Sequence, residues 1–98
     1  MDTNHLLPLL SDMAIFVTVV EQGNFSKAAK KLGVTPSAVS RQIGRLEDAL
    51  GIKLLQRTTR QLALTESGTL TFDYCKQMVE SADKAVNASR SVTSTVSG

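Results

Sequence analysis

Three features of this 98-residue chain predict a mainly α fold, in which three short helices and a small two-stranded hairpin precede one long helix. Apolar residues recur at helical spacing in runs separated by glycines; the stretch between residues 53 and 65 switches to alternation; and no proline follows Pro36. With 42% hydrophobic side chains, the chain has material for one modest core.

Met13, Phe16, Val17 and Val20 mark the first helix, expected over about residues 11–22, with Ser11 or Asp12 as its cap and Gly23 as its stop. Ser26 is expected to cap a second, two-turn helix over residues 27–32, with Ala28, Ala29 and Leu32 facing inward, and Gly33 ends it. Thr35 caps the third, whose first position, Pro36, lacks only an N–H that a helix start leaves unbonded. This helix is expected to reach Leu50, with Val39, Ile43, Leu46 and Leu50 on one narrow stripe. Its opposite side carries Ser37, Ser40, Arg41, Gly44 and Arg45: short hydroxyls, two arginines and a residue without bulk, as close approach to a groove edge requires.

Leu54 and Leu55, then Leu62 and Leu64 alternating with Ala63, predict two short strands around Gln56-Arg57-Thr58-Thr59-Arg60-Gln61. From Glu66 onward one long helix is expected, capped by Thr65. Cys75, Met78, Val79, Ala82, Ala85 and Val86 form an apolar stripe longer than a small domain covers, so it is expected to pair with the same helix of a second chain; the alternative is a helix packed back on its own domain or frayed in solution. The boundaries that follow are a domain over residues 7–65, a dimerising linker helix over 66–92 and a small polar tail, expected to be disordered, over 93–98.

The net charge of +2 conceals an uneven distribution. Residues 24–60 hold Lys27, Lys30, Lys31, Arg41, Arg45, Lys53, Arg57 and Arg60 against Glu47 and Asp48, a net +6, while the remainder of the chain is acidic. Such a basic middle third suits a polyanion, although a solvated basic face is the plainer alternative. A lone Cys75 and a lone His5 argue against a disulfide or a zinc site, and no general base is tied by spacing to a nucleophile, so neither metal, cofactor nor catalysis is expected. The segment Leu6-Leu7-Pro8-Leu9-Leu10 is too short and interrupted for a signal peptide or membrane span, so a cytoplasmic protein is expected.

Taken together, Asn24-Phe25-Ser26-Lys27-Ala28-Ala29, then Leu32 through Ile43, Leu46-Glu47, Leu50-Gly51, Leu54-Leu55-Gln56-Arg57, Arg60, Leu62, Leu64-Thr65 and Gly68 resemble the LysR-type transcriptional regulators, without a gap from about residue 12 to 68. The helix-turn-helix motif would span about residues 25–44. The resemblance implies a winged helix-turn-helix, a linker helix that pairs two chains, possible tetramers in the full-length protein, and a larger C-terminal domain that binds a small-molecule inducer, which these residues do not include. One departure is that members of the family often carry Gln-Pro after the turn where this chain has Pro36-Ser37, so the amide that reads an adenine edge is missing at Pro36.

By that resemblance the helix from Thr35 to Leu50 enters the major groove of duplex DNA at an inverted-repeat site. Ser37, Ser40 and Arg41 are expected near bases, Arg45 near a base or a phosphate, and Ser26, Lys31 and Thr35 near phosphates. Arg57 and Arg60 would bring the wing to the minor groove, unless Arg57 instead pairs with Glu47 or Asp48. The competing function is a winged-helix module that docks an acidic protein partner and uses the long helix as a coiled-coil handle; little binding to duplex DNA at low salt would mark it.

Overall fold

The structure, a computed structural model, describes residues 2–57 and 61–97, and only the backbone of 57 and 93–97. The order is α1 (Leu7–Gln22), α2 (Phe25–Leu32), α3 (Pro36–Leu50), β1 (Leu55–Arg57), β2 (Leu62–Leu64) and α4 (Glu66–Ser97). The two strands pair antiparallel with Leu55 opposite Leu64, Gln56 opposite Ala63 and Arg57 opposite Leu62. The turn residues Thr58, Thr59 and Arg60 lie outside the described residues.

α1 starts four residues earlier than its apolar spacing suggests, because Pro8 occupies the first turn, where its ring is tolerated. Ser11 and Asp12 are therefore interior to α1 and cap nothing; Leu6 takes the cap position. At α2 the cap is Asn24 rather than Ser26: its Oδ1 accepts the Lys27 N–H at 2.7 Å, and Ser26 sits exposed in the first turn. Leu32 is 38% exposed instead of inward-facing. Gly33 adopts φ +73°, and the amides of Gly33 and Val34 bond back to Lys30 and Ala29, which turns the chain within three residues into α3. Thr35 caps α3 as its position requires, its Oγ1 accepting the Ala38 N–H at 3.2 Å.

The core lies between α1, α2, α3 and the first turns of α4. Phe16, Val19, Val39, Ile43, Leu46 and Leu54 are completely buried. Burying each such side chain is worth about 1.5–3 kcal/mol. Phe72 of α4 meets Phe16 edge-on with centroids 6.2 Å apart, and Lys76 ties α4 to α1 through Glu21 at 3.3 Å. Cys75, expected on an interchain stripe, is buried in this same core, with Val79 packed against it. Burial raises the Cys75 thiol pKa, favouring the neutral form. α4 continues through the polar stretch expected to be loose, since nothing before Gly98 breaks a helix, and Gly98 itself lies outside the described residues.

The joint between the hairpin and α4 is tightly bonded. Thr65 caps α4 by accepting the Gly68 N–H at 2.9 Å, while its hydroxyl donates to the Lys53 carbonyl at 2.7 Å and its amide to the Leu54 carbonyl at 3.0 Å. Gly68 lies so close to Leu54 that a Cβ there would fall 2.0 Å from the Leu54 carbonyl oxygen.

Candidate nucleic-acid interface

α2 and α3 meet at the three-residue turn that leaves the start of α3 on the surface. Thr35, Pro36, Ser37 and Arg41 are exposed there, Ser40 and Gly44 are half-buried, and Ser26 and Lys31 of α2 are exposed. Thr35 Oγ1 and Ser37 Oγ lie 3.2 Å apart, so the first turn of α3 presents paired hydroxyls. A Cβ built at Gly44 would meet nothing within 4 Å, and this position keeps the helix surface low. The inward stripe of Val39, Ile43 and Leu46 anchors α3, so the opposite face projects from a rigid base.

Two charged residues of α3 are held by partners within the chain. Arg45 turns to α1, where its Nε and Nη2 donate to the two oxygens of buried Asp12 at 3.0 and 2.8 Å. The hydrogen bond to Asp12, and then its charge, raise the Arg45 pKa above its already high value. Glu47 is 4% exposed and accepts the backbone N–H groups of Leu54 and Leu55 at 2.8 and 3.2 Å, while Lys53 Nζ stands 3.7 Å from its other oxygen. Its carboxylate thus holds the start of the hairpin against α3. The Arg57 side chain and Arg60 fall outside the described residues, so the minor-groove role expected of them has no geometry here; the backbone of Arg57 ends β1.

Lys53 is a basic group that the motif spacing did not single out. It is exposed beside an open groove of about 410 Å³ between α3 and β1, lined by Ser40, Gly44, Glu47, Lys53 and Leu55. Its place in the basic middle third was visible; its nearness to the exposed side of α3 depends on Glu47. Along α4, Leu70, Tyr74, Val86 and Val92 are each about half to two-thirds exposed, Ala82 and Ala85 are exposed, and Met78 is half-buried. The apolar stripe therefore divides, one part serving the chain's own core and the other facing outward. Among the described residues no helix is long and apolar enough to cross a membrane, and no group of three or more His, Cys, Asp or Glu side chains has metal-site spacing.

The chain is 49% identical over 85 residues to the probable HTH-type transcriptional regulator LtrA of Klebsiella pneumoniae, an alignment covering 87% of this chain and 28% of that protein. The chain thus spans little more than a quarter of the length of that relative. Among solved structures, the BenM DNA-binding domain in complex with benA site 1 DNA matches with a TM-score of 0.78 and 36% identity, covering 86% of this chain and 94% of that one. The complex of the CbnR DNA-binding domain with DNA matches with a TM-score of 0.75 and 32% identity, over 86% and 97% of the respective chains. The family model described as bacterial regulatory helix-turn-helix protein, lysR family, matches residues 10–69, well over half of the sequence, and the chain belongs to that family.

Proposed function

We propose that this chain is the DNA-reading end of a bacterial transcription regulator, a binding rather than catalytic unit that works in the cytoplasm. One observation carries it: the exposed face of α3 presents Ser37, Arg41 and the half-buried Ser40 from a fold that superimposes on domains solved with DNA. The first turns of α3 lie in the major groove, where Arg41 reaches a guanine through two parallel hydrogen bonds. Thr35, Ser26, Lys31 and Lys53 contact phosphates and fix the register, while Arg57 and Arg60 carry the wing to the adjacent minor groove. The outward apolar residues of α4 pair two chains, so two recognition helices address an inverted repeat. In the longer protein, a further domain binds a small-molecule inducer and supports tetramers.

Selection of bound sites from a random duplex pool, followed by affinities for the selected and a scrambled duplex across salt, tests this directly. An interrupted inverted repeat and a steep loss of affinity with rising salt are expected. Arg41→Ala is expected to cost about 1–3 kcal/mol on the selected duplex and much less on the scrambled one. An unchanged ratio between the two would remove Arg41 from base reading, and no binding at low salt would overturn the proposal in favour of a protein-docking module. Sedimentation at micromolar concentration is expected to show a dimer; monomer alone would sink the α4 pairing.

A further inference from the structure

Arg45 follows Arg41 by four residues, so helical geometry sets the two arginines side by side on α3. Their surroundings differ. Among the described residues Arg41 makes no ion pair, whereas Arg45 forms a fork onto Asp12, a residue of α1 that is wholly buried. No other cation among the described residues reaches Asp12. Moving Arg45 to a phosphate or base would strand an unpaired carboxylate in the core, which is costly. The Arg45 side chain is itself 62% exposed, so its contact is set by Asp12 rather than by confinement.

Resting on the reading of α3 as the DNA-recognition helix, we propose that Arg45 is a positioning residue that binds no DNA. Its two hydrogen bonds to Asp12 set the roll of α3 about its own axis, and that roll decides how Ser37, Ser40 and Arg41 meet the base edges. A planar fork resists rotation in a way that a single point contact does not. Asp12, buried on α1, becomes a determinant of sequence preference without touching DNA.

The test uses the selected and scrambled duplexes with the wild-type chain, Asp12→Asn, Arg45→Gln and the double variant, well below their unfolding temperatures. Loss of stability alone lowers the amount of folded protein and leaves the preference between duplexes unchanged. Both single changes are expected to reduce that preference about tenfold, the order of one weakened base contact, with the double variant no worse than either. The dependence of log affinity on log salt is expected to stay at the wild-type slope, because no phosphate contact is lost. An undiminished preference in Asp12→Asn would overturn the positioning role, as would a slope shallower by about 0.9 in Arg45→Gln. Should Asp12→Asn fail to fold, Arg45→Lys decides: it keeps the charge and lacks the fork, so positioning expects the preference to fall, and retained preference overturns it. A wild-type chain that fails to discriminate the duplexes would instead count against the DNA-reading proposal itself.

Discussion

Gly68→Ala is expected to destabilise the fold by about 3 kcal/mol, the upper end of what overpacking by one methyl group costs. The new Cβ would lie 2.0 Å from the Leu54 carbonyl oxygen and 2.9 Å from its carbonyl carbon, and both belong to backbone, which has no rotamer to yield. That carbonyl already accepts the Thr65 amide, so displacing it disturbs the cap of α4 and the start of the hairpin together. Urea denaturation followed by circular dichroism measures the change. Gly44→Ala is the internal control: with nothing within 4 Å of its Cβ, it is expected to gain about 0.5–1 kcal/mol from the removal of a mid-helix glycine. A Gly68→Ala midpoint equal to wild type would show that α4 does not approach the Leu54 backbone this closely.

Glu47→Ala is expected to have an effect of similar size, about 3 kcal/mol, by a different route. Removing the carboxylate leaves the amides of Leu54 and Leu55 without their acceptor, and hydrogen bonds to a charged group are each worth about 1.5–3 kcal/mol. Glu47→Gln keeps one amide oxygen able to accept them and is expected to lose about half as much. Beyond stability, the loss detaches the hairpin from α3, so binding that depends on the wing should weaken more than binding through α3 alone. Urea midpoints of the two variants check the first claim. Equal midpoints for Glu47→Ala and wild type would mean that the amides find water instead.

The helices, their order and the two threonine caps at Thr35 and Thr65 were legible in the sequence, because spacing, glycine stops and hydroxyl caps act within a few residues. What escaped was nonlocal. Asp12 reads as a cap beside Ser11, and only the arrival of Arg45 from 33 residues away turns it into a buried partner. Glu47 reads as a possible ion-pair partner of Arg57, and only the return of Leu54 and Leu55 shows that it accepts their backbone amides. Cys75 and Val79 lie on an apolar stripe whose spacing cannot tell an intrachain neighbour from an interchain one, and Phe16 settles the matter by drawing Phe72 and its turn of α4 into the core. At the candidate interface, the exposed hydroxyls and Arg41 were legible as a face; the pairing of Arg45 with Asp12 was not.

α4 leaves the domain from a turn fastened to the hairpin on several sides, and it extends for 32 residues, about 48 Å at 1.5 Å per residue. Its first turns, as far as Val79, are packed on the core, and the 18 residues beyond form a goniometer arm about 27 Å long. A tilt of about 7° at the clamp carries its far end by about 3 Å, a displacement comparable to the step between neighbouring base pairs along a duplex. The distance from the recognition helix to whatever lies at the end of that arm is therefore written as an angle, in the packing of Phe72, Cys75 and Val79 on the core and the bonds of Thr65.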